Sequence, residues 1–466
     1  MAHDPLVAFG MHPRLADDLA NLPELLETTR GHAERALCGL DARPVARRPD
    51  AYPTQRLPKQ GVGLQEALSL FAQRWEPGFS GSAGPRYLGF VTGGATPAAL
   101  AGDWLTSAYD QNVVTAADSS ASDLERETVR WLGELFGLGD AHTGSFVTGA
   151  TMSNFVGLAI AREALGDALG VSVAQAGVQA LGDVKVLSGA PHSSIYKALS
   201  MLGLGRDRVQ LVPLRNGREA VDVDALRAAL DALDGRPAIV VANAGTVNTG
   251  DFDELRAIAA LRAHHPFWLH VDAAFGGFAA LSAEHAQMLD GIAEGDSVCV
   301  DLHKWLNVPY DAAVQFTRRR DLQIRIFQNA AAYLGPPGDN PDFMHLTPEN
   351  SRRLRALSAW FSLTAYGLDG HREIVERNIA SARRLGVRLA ALPGVRVLAP
   401  VRLNVVCFTV DDDPARVIQA IVDTGEAFVT PTIYLGTPAI RVAFSNWRTT
   451  DADADRVSAV IERVLG

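Results

Sequence analysis

Two stretches decide the fold: Trp268-Leu269-His270-Val271-Asp272-Ala273-Ala274-Phe275-Gly276-Gly277, and Ser297-Val298-Cys299-Val300-Asp301-Leu302-His303-Lys304-Trp305. Each opens as a short apolar run, the pattern of a strand buried on both faces, and ends on polar residues. Taken singly they say little. Asp272 before small residues reads as a helix cap or turn former, and His303-Lys304 as the solvated end of a strand. Taken together they say more. Asp272 and Lys304 stand 32 residues apart, about one strand–crossover–strand unit. Both side chains then project from the carboxyl ends of strands into one crevice, where open α/β sheets hold their ligands.

The same texture extends outward. Further β-rich runs fall at Val184–Ser188, Val209–Val212, Ala238–Ala242 and Ala313–Thr317, with helical stretches at Asp222–Leu233 and Asp253–Ala263 between some of them. The pattern predicts an α/β fold with a mostly parallel central sheet covered on both faces, and residues 88–350 are assigned to it. Residues 351–466 read as a smaller C-terminal α/β domain. It opens with a helix-prone stretch to about Leu392, followed by Asn404–Val410, a helix near Pro414–Thr424, a strand near Ile440–Phe444 and a terminal helix. Residues 1–87 read as an N-terminal helical segment: helical over Leu15–Leu40, interrupted by Pro44, Pro49, Pro53 and Pro58, and helical again over Gly63–Trp75. It is expected to pack on the main body or on a second subunit.

Composition narrows the function. A net charge of −10 gives no electrostatic footprint for nucleic acid or an anionic membrane. Any phosphate must therefore be held by a few aimed groups. No segment approaches a membrane span, and the first residues do not have the form of a signal peptide, so a cytoplasmic protein is expected. The three cysteines, Cys38, Cys299 and Cys407, are too scattered for a disulfide framework or a zinc site, and no metal is expected. Only four lysines occur, Lys59, Lys185, Lys197 and Lys304. Where arginine supplies nearly all the positive charge, a lysine beside an apolar run invites a chemical explanation. A desolvated lysine can lose its proton and form a Schiff base; arginine cannot. A carboxylate such as Asp272 would suit a pyridinium nitrogen, and the small residues beside it would let a flat ring lie close.

Three more signals end strands or open helices in the same region. Thr148-Gly149-Ala150-Thr151 precedes a helix read from Met152 to Leu165, whose free N–H groups would suit a phosphate. His192, in Pro191-His192-Ser193-Ser194, either bonds its own loop or stacks on a ring. Thr246, in Asn243-Ala244-Gly245-Thr246, is placed to bond His192 or a cofactor.

The stretches RYLGFVTGG, GATMSN, PHSSIYKA, AGT, WLHVDAAFGG and DLHKWLNVPYD, in this order from about Arg86 to Asn446, resemble the group II decarboxylases dependent on pyridoxal 5′-phosphate (PLP). That family includes the aromatic-amino-acid, histidine and glutamate decarboxylases. The resemblance implies PLP-dependent transferase fold type I, a homodimer with active sites at the interface, and an amino-acid substrate. It implies that Lys304 forms the Schiff base, that Asp272 partners the pyridine nitrogen with Ala274 beside the ring, and that His192 stacks on it near Thr246. Ala150, Thr151 and His303 would hold the phosphate. Thr92 would lie near the substrate carboxylate, and residues around Tyr109–Asp118 would line the pocket from the partner. A trio of Lys304, Asp272 and His192 has no use in a non-catalytic binding module.

One position departs from the family pattern. A loop tyrosine nine residues before an Arg-Arg pair returns the proton after CO₂ leaves. Counting back from Arg352-Arg353 reaches Phe343. That replacement points to an alternative outcome, oxidative deamination to an aldehyde, unless Tyr333 or His345 supplies the proton or Phe343 is a packing residue. Phe90, Trp104, Tyr109 and Phe343 favour an aromatic substrate.

Overall fold

Alternate residues of the strand Ala238–Asn243 serve two cores: Ile239 and Val241 join one apolar cluster, Val240 and Ala242 the other. Side chains of a strand alternate faces, so a strand covered on both sides is apolar throughout. The computed structural model describes residues 10–47, 51–116, 118–329, 338 and 340–466. The large sheet comprises β1 (Thr143–Val147), β2 (Val186–Ser188), β3 (Val209–Leu211), β4 (Ala238–Asn243), β5 (Phe267–Asp272), β6 (Ser297–Val300) and β7 (Ala313–Thr317), in the order β1-β7-β6-β5-β4-β2-β3. From β6 through β3 every pairing is parallel. Only β7 runs the other way, antiparallel to both β6 and β1.

The helix Ala150–Ala168 lies on one face, its apolar residues meeting Val186, Ile239, Val241 and Trp268. The other face is covered by Ala121–Leu135 and the first turns of a long helix, Ala356–Ala390. Between these two helices lies a buried ion pair, Arg352 on Glu125, with nitrogen–oxygen distances of 2.8 and 2.6 Å.

A second sheet is antiparallel and follows the long helix. Its strands are β8 (Val395–Val397), β9 (Val405–Val410), β10 (Thr430–Tyr434) and β11 (Thr437–Ala443), in the order β10-β11-β9-β8. The segment at Tyr87 and Leu88 extends it: the Leu88 N–H donates to Phe428 and the Leu88 carbonyl accepts from Ala443. From there the chain crosses at once to the ends of the large sheet. The helices Pro13–Ala20, Leu22–Cys38 and Leu64–Arg74 occupy the N-terminal stretch where helices were expected.

Three strands, β1, β8 and β10, escaped the sequence reading. β1 carries Gly144 and Ser145, poor strand formers, yet a Cβ at Gly144 would come within 2.8 Å of Phe316, so the glycine lets β1 seat against β7. β10 and β11 carry Pro431 and Pro438, which hid a hairpin closed by Leu435-Gly436, both with positive φ. The helix predicted as one piece after Ser351 breaks at Gly367, whose φ of 59° and ψ of −170° are not helical.

Candidate active site

The carboxyl ends of β1, β2, β4, β5 and β6 surround one cavity of about 460 Å³. Asp272 is the last residue of β5 and Lys304 lies in the single turn Leu302–Trp305 that follows β6. The adjacent parallel strands thus deliver both side chains to the crevice expected of them. Lys304 Nζ is 3.5 Å from Asp301 Oδ2 and 5.8 Å from the centre of the Phe275 ring. The backbone beneath it is tightly packed. A Cβ at Gly93 would fall 1.8 Å from the Lys304 carbonyl oxygen, so only glycine lets the 91–93 segment press there.

Asp272 is buried, and its two oxygens accept from the Asn154 side-chain amide at 3.1 Å and the Ala274 N–H at 3.2 Å. His192 caps the helix Ser193–Met201: its Nδ1 accepts from the Ser194 N–H at 3.2 Å and meets the Ser194 hydroxyl at 2.8 Å. Burial lowers its pKa, and the charges of Lys304 and Arg441 push the same way against Asp272.

Ala150 and Thr151 open the helix Ala150–Ala168, which has no acid in its first turn and no side-chain cap. Gly149, Ala150, Thr151 and Met152 line the cavity, so the uncapped N–H groups of this helix start are available there to a phosphate. His303 stands on the same wall, Nδ1 3.1 Å from Asp301 Oδ1, with its ring 4.3 Å from that of Tyr310. Burial lowers its pKa too. An amine, a buried carboxylate, a small Ala274 and an uncapped helix start around one cavity fit PLP.

Thr246 lines the cavity, and its hydroxyl donates to Glu219 at 2.7 Å rather than to His192. Thr92 is buried beside the site, 3.3 Å from the Tyr310 hydroxyl, and Phe90 forms part of the wall. Trp104 and Tyr109 are exposed on the helix Pro97–Tyr109 and do not line the cavity of their own chain, and for Tyr109 the expectation was a place in the partner's pocket.

Phe343 is not at the site. It is 2 % exposed, in the single turn Phe343–His345, with the guanidinium groups of Arg126 and Arg352 5.3 and 5.0 Å from its ring centre. It lines a separate hollow near Thr143 and Gly144, at the opposite end of β1 from Ala150. Packing in the core, not the reacting centre, accounts for an aromatic residue there. His345 is buried nearby and accepts the Asn329 N–H on Nδ1 at 3.0 Å. Tyr333 lies outside the described residues.

Two groups were missed. Asp301, 2 % exposed, is the carboxylate next to Lys304, and its place in Asp301-Leu302-His303-Lys304 at the end of β6 was the available signal. Arg441 on β11 reaches the cavity from the other sheet, and nothing near it in sequence announced this.

The sequence matches the pyridoxal-dependent decarboxylase conserved domain over residues 55–411. The chain belongs to that family. The decarboxylase is 28% identical over 416 residues to an aromatic-L-amino-acid decarboxylase of Bacillus atrophaeus, covering 85% of this chain and 84% of that one. It is 27% identical to an L-2,4-diaminobutyrate decarboxylase of Acinetobacter baumannii, over 76% of this chain and 72% of the relative. Its fold matches the crystal structure of Oryza sativa TDC with PLP and tryptamine at a TM-score of 0.89 and 22% identity, covering 97% and 99% of the two chains. The decarboxylase is a PLP-dependent carboxy-lyase acting on an amino acid, as its family is.

Proposed function

We propose that the decarboxylase removes the α-carboxylate of an aromatic L-amino acid, releasing the amine and CO₂. The observation that carries this reading is Arg441. It is 7 % exposed, it faces the cavity of Lys304, and among the described residues no carboxylate lies within ion-pair distance of it. Its Nη groups donate to the carbonyls of Val247 and Phe90, at 3.0 and 3.3 Å, and its Nε has no partner. Burial lowers its pKa. A buried guanidinium without an anion is costly, and a substrate carboxylate would offset that cost. The hollow adjoining the cavity shares Phe90, Val247 and Arg441 with it and continues over Ile418, Val422 and Phe428. An apolar ring would suit that lining better than a second charge.

PLP, when bound, supplies the electron sink for the pair of electrons left when CO₂ departs. Lys304 Nζ would hold it covalently and receive it back at the end of each turnover. Asp272 would keep a proton on the pyridine nitrogen. Ala150 and Thr151, with His303, would hold the phosphate, and His192 would cover the ring. Thr92 and Phe90 would bound the substrate, with Arg441 orienting its carboxylate. We place the enzyme in the cytoplasm as a homodimer. Three free cysteines suit a reducing compartment, and Leu15, Leu19, Leu22 and Leu26 are exposed on the N-terminal helices, where a second copy would cover them.

The test is a panel of L-amino acids with the PLP-loaded enzyme, following CO₂, amine, aldehyde and oxygen together. Aromatic substrates should give CO₂ and amine in equal amounts without oxygen uptake. Aldehyde with oxygen uptake would replace the amine reading with the oxidative one; turnover of acidic amino acids alone would reassign Arg441 to a side-chain carboxylate. Because Phe343 is packed between two arginines away from Lys304, Phe343→Tyr should leave the product ratio unchanged. A shift from aldehyde to amine would put that position back at the reacting carbon. Arg441→Met should lower kcat/KM by about 10²-fold or more, mostly through KM. An unchanged KM would remove Arg441 from the substrate site.

A further inference from the structure

A chain of side-chain hydrogen bonds runs behind the cavity wall from Trp268 to His192. The Trp268 indole N–H donates to the Ser297 hydroxyl at 2.9 Å, and that hydroxyl meets His270 Nδ1 at 2.7 Å. His270 Nε2 is 2.9 Å from the Asn154 carbonyl oxygen. The Asn154 amide nitrogen donates to Asp272 Oδ2 and to the Ser194 hydroxyl, both at 3.1 Å. Ser194 in turn meets His192 Nδ1 at 2.8 Å.

The polarity of every link follows from the inventory of donors and acceptors. An ionised Asp272 accepts only, so the Asn154 group facing it is the NH₂. The Asn154 oxygen then faces His270, whose Nε2 must carry the hydrogen. His270 Nδ1 is left as an acceptor, which Ser297 fills with its single hydrogen while accepting from the indole. At the other end Ser194 accepts from Asn154 and donates onward. Its hydroxyl and its backbone N–H both point hydrogens at His192 Nδ1. That nitrogen is unprotonated, so the hydrogen of neutral His192 sits on Nε2. Both hydrogen bonds of the His192 ring fall on Nδ1, while the imidazole lines the cavity.

His270 and Asn154 are both fully buried, and a Cβ at Gly157 would come within 2.8 Å of the His270 ring, so the helix surface is cut to admit it. Burial also lowers the His270 pKa to about 4, which keeps the ring neutral.

We propose that Asn154 is a positioning residue, oriented by His270 and Ser297, that locks Asp272 as a hydrogen-bond acceptor, while the Ser194 N–H holds His192 as an Nε2–H donor toward the cavity. This rests on the reading that Asp272 and His192 contact the cofactor ring. It makes His192 a group that offers a hydrogen to the cavity and cannot take one up at Nε2.

The experiment labels the twelve histidines with ¹⁵N in the full-length, PLP-loaded protein. His192 and His270 are assigned by loss of their signals in His192→Asn and His270→Gln. Wild-type His192 should show hydrogen on Nε2 alone. In Asn154→Leu, His270 should show both tautomers while His192, held by the Ser194 N–H, keeps its hydrogen on Nε2, and PLP should be released about tenfold faster as Asp272 loses a charge-assisted bond. His270→Leu should act in the same direction. His270→Gln, whose amide can donate to Asn154 and accept from Ser297, should restore the slower release. Should either leucine variant not fold, Ser297→Ala removes one hydroxyl and carries the test, with PLP released faster than in wild type. Unchanged PLP release in the folded variants, or His270 signals that do not move in Asn154→Leu, would overturn the proposal. None of these readouts requires turnover, so it can fail while the decarboxylation reading stands.

Discussion

Lys304→Ala is expected to reduce CO₂ release by ~10⁴-fold or more, because it removes the amine that forms and re-forms the covalent link. No other amine can substitute. Lys59, Lys185 and Lys197 line no part of the cavity, and Lys185 lies 3.6 Å from Asp183. The protein should still fold, since the single turn Leu302–Trp305 is held by buried Leu302 and Trp305. The loss should also be felt by Asp301, which is buried and would be left beside His303, a ring whose pKa burial lowers. The variant should therefore hold PLP without a covalent bond and lose it on gel filtration. Turnover within tenfold of wild type would mean that Lys304 is not the attachment site.

Asp272→Asn comes next in size, with an expected fall in kcat of about 10³-fold. An amide cannot hold a proton on a pyridine nitrogen by charge, and without that proton the ring is a poor acceptor of electrons. Geometry adds to the loss. Asp272 accepts from both Ala274 and Asn154, so an amide NH₂ in its place would meet one donor with another. PLP affinity should fall together with kcat. A variant with kcat within tenfold of wild type would remove Asp272 from the ring nitrogen, whatever its affinity.

The parts of this molecule that sequence made plain are those where one residue type serves both fold and site. The apolar runs β4, β5 and β7 were placed within a residue, because burial on both faces leaves no polar alternation to confuse them. Their polar ends marked the cavity for the same reason: a strand end is where the chain can afford an acid or an amine. β1 and β10 were illegible because glycine and proline are tolerated there only through particular neighbours, Phe316 for Gly144 and an edge position for Pro431. Arg441 was hidden because its approach depends on how two sheets meet, which no local pattern encodes. Phe343 shows the converse failure. A spacing counted along the chain carried a role to a residue that the fold buries between Arg126 and Arg352.

The position of β7 has a consequence for biogenesis. It is the last strand of the large sheet to leave the ribosome, and it is the one that joins β1 to β6. Until residues 313–317 have emerged, β1 has no strand to pair with in the large sheet, so the turn at 148–151 that follows it is not yet held by sheet pairing beside the turn carrying Lys304. Contacts between segments so distant in sequence close late. The nascent chain therefore has no complete nest for a phosphate and an aldehyde at once, and cofactor capture becomes a closing event of folding rather than its nucleus.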